Sequence, residues 1–120
     1  MISDEAARAG VCLLETIGRV SGRPRIVEIW FAADPGRRRI YMLSGGRDRA
    51  HWVRNLRVQP NVRIRLAGEW LTGGARVVEP GDEDGLARRL LAAKYQGWHE
   101  GRSMSDWARE SLPVAIDLSQ

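Results

Sequence analysis

The chain has 120 residues, 43% apolar and 28% charged, with a formal net charge of +4. That is enough apolar material for one packed core, too little chain for two, and too apolar for disorder. The longest uncharged apolar runs are far short of the roughly 20 residues a spanning helix needs, so stable membrane insertion is not expected.

The expectation is therefore a single domain over residues 1–120, with 1–10 as a short helix or loose N-terminal segment. That segment has neither a basic n-region nor an apolar h-region, so it does not read as a secretory signal. One cysteine, Cys12, excludes an internal disulfide and a Cys-rich zinc site. His51 and His99 lack metal-ligand spacing, and no metal is expected. These features fit a reduced, cytoplasmic protein.

Val11–Ile17 reads as a strand and Gly18–Pro24 as a tight turn. Arg25–Ala33, rich in β-branched and aromatic residues, reads as the second strand. Asp34-Pro35-Gly36 turns the chain into a third strand, Arg38–Leu43. Ser44-Gly45-Gly46 breaks it, and Arg47–Val58 then reads as a helix with Trp52, Val53 and Leu56 on one side. Gln59-Pro60-Asn61 stops that helix. Val62–Ala67 alternates apolar and arginine residues, as a half-buried strand does. Glu69–Val78 follows as a strand, with Gly73-Gly74 read as a bulge or bend. Asp82 reads as the cap of a helix to about Tyr95. Met104–Glu110 gives a short helix and Leu112–Leu118 the last strand. This order, β-β-β-α-β-β-α-β, lacks β-α-β crossovers. It predicts a mainly β (α+β) fold, a small antiparallel barrel with two or three helices packed outside.

Of the 19 basic residues only Lys94 is a lysine. Between Arg19 and Arg65 twelve arginines meet three acids, Glu28, Asp34 and Asp48, while the rest of the chain is net acidic. An anion site therefore belongs in this basic half, where arginine forks can grip phosphate or carboxylate. Two glycine-rich segments hold the candidates. Thr16–Arg25 carries Arg19, Arg23, Arg25 and Ser21 around Gly18 and Gly22. Ser44–Asn55 places Gly45 and Gly46 ahead of a helix, with Arg47 and Arg49 in its first turn, where cations are unfavourable unless an anion sits between them. This segment is neither a P-loop nor GxGxxG, so a nucleoside triphosphate is not expected. Five tryptophans add flat apolar surface. Trp30 and Trp52 adjoin the basic segments, where either offers a face to a planar ring. Tyr95, Trp98 and Trp107 cluster in sequence as a lid over a pocket. Cys12 reads as a buried residue rather than a nucleophile. Asp82, Glu83 and Asp84 read as a helix start.

Taken in order, Thr16-x-Gly18-Arg19-x-Ser21-Gly22-x-Pro24-Arg25, Ser44-Gly45-Gly46 and Trp52-x-x-Asn55-Leu56, with Pro60 and Val62 after them, resemble the deazaflavin-dependent nitroreductases. The ending, Trp107 through Leu112-Pro113-Val114, fits the same family. These are F420H2-dependent quinone reductase-like proteins of the pyridoxamine-phosphate-oxidase-like superfamily. The resemblance covers roughly residues 11–118. It implies a split β-barrel and coenzyme F420, a deazaflavin with a phosphate and an oligoglutamate tail. It assigns Arg19, Ser21 and Arg25 to the acidic tail, and Ser44, Gly45, Gly46, Arg47 and Arg49 to the phosphate. It sets Trp30 near the ring and gives Trp52 and Asn55 the support of the helix. Val20 stands where many relatives are basic, and Ala50-His51 where Asn-Pro is usual. The implied activity is hydride transfer to an electron-poor small organic acceptor, with no assigned catalytic residue beyond Tyr95 as a speculative proton donor. FMN in the same barrel, or a non-catalytic carrier of cofactor or fatty acid, is the alternative. A nucleic-acid module, motivated by the charge, ranks last because the arginines sit in two loops and not on one face; no nucleic acid is expected. Both a monomer and a homodimer suit such a barrel.

Overall fold

The computed structural model describes residues 2–119. Seven strands form one antiparallel sheet: β1 (Cys12–Ile17), β2 (Pro24–Ile29), β3 (Ala32–Ala33), β4 (Arg39–Ser44), β5 (Asn61–Leu66), β6 (Glu69–Val77) and β7 (Leu112–Leu118). Four helices accompany them: α1 (Asp4–Ala7), α2 (His51–Val58), α3 (Asp82–Gln96) and α4 (Asp106–Glu110), with a 3-10 turn at Arg47–Arg49. Two of the four, α1 and α4, are short helices begun by side-chain caps from Ser3 and Ser105.

The strand order is β2-β1-β5-β6-β7-β4-β3. The two edge strands, β2 and β3, are consecutive in the chain and separated only by Trp30 and Phe31. Two residues span at most about 10 Å, so the sheet must curl until its edges nearly meet. The result is a split barrel. The expected single strand Arg25–Ala33 is thus two strands on opposite edges. Phe31, fully buried, makes the crossing. Its N–H donates to Tyr95 Oη at 3.0 Å, and its carbonyl accepts from Lys94 Nζ at 2.9 Å, so a backbone outside the ladder is still satisfied.

Period-two burial sorts the strands into two cores. Ile40 and Met42 of β4, Val62, Ile64 and Leu66 of β5, and Val114 and Ile116 of β7 fill the barrel with Leu14, Phe31 and Leu56. Tyr41, Leu43 and Ala115 point the other way and receive Ala87 and Leu91 of α3. An ionic cluster pins the start of α3 to the sheet. Glu83 accepts from Arg76 at 2.6 and 2.8 Å, from Arg39 at 3.1 Å and from Tyr41 Oη at 3.0 Å. Asp117 joins Arg39 at 2.5 Å and Arg76 at 3.0 Å.

Three local expectations are corrected. The helix Arg47–Val58 is a 3-10 turn and a shorter helix, broken at Ala50, which is extended (φ −63°, ψ 135°). Gly81, not Asp82, occupies the cap position of α3. The Gly73-Gly74 pair makes no bulge: β6 keeps one register against β5 through both residues. Gly73 is needed for closeness instead, since a Cβ there would lie 2.8 Å from Ile116 Cγ2 and 2.9 Å from the Asp117 carbonyl.

Candidate functional site

The β1–β2 turn is built by its glycines. Gly18 N–H donates to the Arg23 carbonyl at 2.8 Å, and Gly22 N–H to the Gly18 carbonyl at 2.8 Å. A Cβ on Gly18 would fall 2.6 Å from Ser21 Oγ, and Gly22 has φ +72°, a region open chiefly to glycine. Ser21 Oγ accepts from Arg23 N–H at 3.1 Å and keeps its own proton for another partner.

Helix α2 fixes this turn through Asn55, which is buried. Its carboxamide oxygen accepts from Arg19 N–H at 3.1 Å and Arg19 Nη1 at 2.8 Å. Its Nδ2 donates to buried Thr16 Oγ1 at 3.2 Å. Arg19 Nη2 lies 3.2 Å from His51 Nδ1. These residues, with Ser21, Arg25 and Trp52, line a groove of about 700 Å³ in whose wall no carboxylate stands. The structure thus brings together Arg19, Ser21, Arg25, Trp52 and Asn55.

Trp30 lies elsewhere. It stacks on Tyr95 with ring centroids 4.4 Å apart and 3° between planes, and meets Trp107 edge-on at 5.4 Å and 84°. It remains 45% exposed. Together with Val11, Leu43 and Trp107 it lines a second groove of about 550 Å³. Strand β2 joins the two. The two grooves are neighbours along the chain, the basic one using Pro24–Val27 and the aromatic one Glu28–Ile29 and Trp30 just past the strand.

The segment Ser44–Ala50 connects Leu43, on the aromatic groove, to His51 and Trp52, on the basic one. Inside it, the Ser44 hydroxyl is buried and donates to the Arg47 carbonyl at 3.0 Å. Arg47 adopts φ +52° and its guanidinium donates to the Glu110 carbonyl of α4. Ser44 and Arg47 therefore shape the segment with the groups expected to meet an anion. Gly45, Gly46 and Arg49 are exposed. Arg49's guanidinium makes no hydrogen bond or ion pair among the described residues.

Tyr95 is tied into the backbone. Its Oη accepts from Phe31 N–H at 3.0 Å, and the carbonyls of Gly10 and Phe31 lie at 2.8 and 2.9 Å to take its proton. Burial pushes the phenol above its ordinary value. Lys94 bridges the carbonyls of Ala7 and Phe31 and sits 3.7 Å from the centre of the Phe31 ring. Of the expected lid, Tyr95 and Trp107 do join Trp30. Trp98 does not; its indole N–H closes the 97–102 loop on the Arg102 carbonyl at 2.7 Å. Cys12 is buried, which raises its thiol to about 12. Val11 and Leu43 line the aromatic groove without having been singled out in the sequence, and Thr16 and His51 lie within the two segments singled out there but were not assigned to a ligand. Only the Trp52-x-x-Asn55 spacing pointed toward His51, one residue ahead of it on the same helix.

Among the described residues no helix is long and apolar enough to cross a membrane, and no three His, Cys, Asp or Glu gather as a metal cluster. Three solved structures share the fold. A conserved hypothetical protein from Mycobacterium tuberculosis superposes with TM-score 0.80 at 19% identity, covering 100% of this chain and 82% of that one. An F420-H2 dependent reductase matches with TM-score 0.66 at 23% identity over 90% and 94% of the two chains. A further F420 reductase matches with TM-score 0.66 at 16% identity over 100% and 97%. The model of the F420H(2)-dependent quinone reductases matches residues 2–119. With nearly the whole chain matched, the protein belongs to the F420H(2)-dependent quinone reductase family, whose cofactor is coenzyme F420.

Proposed function

We propose that the protein is a reductase that passes a hydride from reduced coenzyme F420 to an electron-poor small organic acceptor. The observation that carries this reading is the pair of grooves lined by successive residues of 24–30, one basic and free of carboxylates in its wall, the other aromatic. A ligand with a planar ring and a polyanionic tail fits that polarity, and a compact monoanion leaves much of it unused.

When bound, the deazaflavin supplies the hydride, and the protein supplies position and electrostatics. Arg19 and Arg25 take carboxylates of the tail, with the Ser21 hydroxyl as a further donor. Asn55 holds Arg19 in place, so its guanidinium is already oriented when the tail arrives. The exposed backbone of Gly45 and Gly46, with Arg49, takes the phosphate. Trp30 offers its exposed face to the ring, and the Tyr95 and Trp107 contacts keep the indole from turning. The Tyr95 proton is committed to a backbone carbonyl, so the proton that balances the reduction comes from solvent at the open groove.

The test is a titration of the protein with coenzyme F420 beside an identical one with FMN. Tight F420 binding, weak FMN binding and turnover of a quinone or nitroaromatic acceptor are expected. Tight FMN binding with weak F420 binding overturns the cofactor assignment. Tight F420 binding without reduction of any acceptor leaves a carrier.

A further inference from the structure

The aromatic groove carries one charge. Apart from Glu28, the residues that line it are uncharged: three aliphatic side chains, two indoles and the Gln96 carboxamide. Exposure alternates along 26–30, with Ile26, Glu28 and Trp30 exposed and Val27 and Ile29 half-buried. Glu28 and Trp30 therefore share one side of the segment, about 7 Å apart at the usual rise. Among the described residues no cation pairs with Glu28. Leu13 of β1 stands opposite it, and Arg65 of β5 stands opposite Leu13 in turn, so two strand spacings, about 10 Å, separate the two backbones. Arg63, also on the outer side of β5, is held by Glu15 at 2.8 and 3.0 Å. Arg25 lines the other groove, Arg47 donates to the Glu110 carbonyl, and Lys94 to those of Ala7 and Phe31. Gln96 Oε1 accepts from Ser105 Oγ at 2.6 Å, which leaves its N–H groups as donors for a ligand.

We propose that Glu28 selects the acceptor by charge: the aromatic groove admits neutral or cationic planar acceptors and disfavours those bearing a carboxylate or sulfonate. This deepens the F420 reading and rests on it, since an acceptor of hydride must lie against the ring that Trp30 carries, and so within reach of the Glu28 field. At such a separation, in partly screened surroundings, one unit charge changes affinity by about three- to tenfold. The electron-rich indole faces act in the same direction. The two grooves then sort ligands by sign. A polyanionic tail is drawn to Arg19 and Arg25 and turned away from Glu28.

Three nitroarenes that differ only in the benzylic group test this: para-nitrobenzyltrimethylammonium, para-nitrobenzyl alcohol and para-nitrophenylacetate. Each is compared with itself in the native protein and in Glu28→Gln, so differences in electron affinity between the compounds cancel. One readout is kcat/KM with saturating reduced F420. The other is binding to the F420-free protein, followed by the indole N–H signals of Trp30 and Trp107 in NMR spectra. At low salt Glu28→Gln is expected to weaken the cation by about three- to tenfold and to strengthen the anion by a similar factor, with the alcohol within about twofold. Both shifts should shrink at about 0.5 M salt. Equal effects on cation and anion, or no binding and no reduction of any probe, overturn the proposal. Glu28-dependent selection in binding without reduction of any probe would keep the charge filter and reject the reductase reading. Reduction with the same charge preference in both proteins would do the reverse.

Discussion

The carboxamide oxygen of Asn55 accepts from both the backbone N–H and the guanidinium of Arg19, at 3.1 and 2.8 Å, while its nitrogen donates to Thr16. One buried side chain thereby ties α2 to β1 and to the turn after it. Asn55→Ala strips these groups of their partner at a buried site. It should cost about 1–3 kcal/mol in urea denaturation and weaken F420 binding as well, because Arg19 is no longer pre-set. A variant as stable as the native protein would show that the three bonds are replaced by water.

The arginines of the turn are assigned to the acidic tail, which predicts a dependence on tail length. Arg19→Ala combined with Arg25→Ala should weaken F420 binding more for long oligoglutamate tails than for short ones, and the loss should shrink as salt rises. Equal losses at every tail length would move the tail to another surface.

Glu83 is held down to about 2, chiefly by the hydrogen bonds from Arg76. Asp117 also lies below its ordinary value: burial opposes this, but the bonds from Arg76 and Arg39 outweigh it. A carboxylate with a lowered folded-state value stabilises the fold above its unfolded value and stops doing so as pH falls through the folded one. The contribution of Glu83 should therefore be complete above about pH 4.5 and drain away toward pH 2. Glu83→Gln should lower stability at neutral pH and flatten the acid limb of a stability–pH curve measured by urea denaturation. An unchanged acid limb would mean that the cluster of Arg39, Arg76, Glu83 and Asp117 does not pin α3.

The strand sequence carried most of the barrel. The alternation from Val62 to Leu66 is the observed inward and outward pattern of β5, and the turns at Gly18–Pro24 and Asp34–Gly36 fall where expected. The break at Trp30-Phe31 was hidden, because both residues favour strands and only the closure of the sheet dictates that the chain change edges there. The basic groove was legible where charge and glycine coincide, at Arg19, Ser21 and Arg25, which line it together. It was less so at Ser44 and Arg47: a hydroxyl and a guanidinium read the same in sequence whether they face a ligand or a neighbouring carbonyl. His51 had only its place beside Trp52 to mark it, since its contact with Arg19 depends on a turn 32 residues away.

Gly73 and Gly74 make a paired test of the reading that replaced the bulge. A Cβ on Gly73 would press on Ile116 and on the backbone of Asp117, whereas nothing lies within 4 Å of one on Gly74. Gly73→Ala should cost about 1–3 kcal/mol by overpacking, and Gly74→Ala should be close to neutral, both measured by thermal or urea unfolding. Equal effects would return the pair to a conformational role.

Tyr95 separates a structural from a chemical role. Tyr95→Phe keeps the ring beneath Trp30 but removes the acceptor for the Phe31 N–H at the crossing from β2 to β3. With that N–H unpaired, the variant should lose about 1–3 kcal/mol of stability. If the proton comes from solvent, kcat measured well below the melting temperature should change by less than about threefold, with its pH profile unmoved, whereas a lost general acid typically costs about 100-fold or more. A kcat loss of that larger size, with F420 affinity intact, would make the phenol the donor. It would also require Tyr95 Oη to leave the Gly10 and Phe31 carbonyls during turnover.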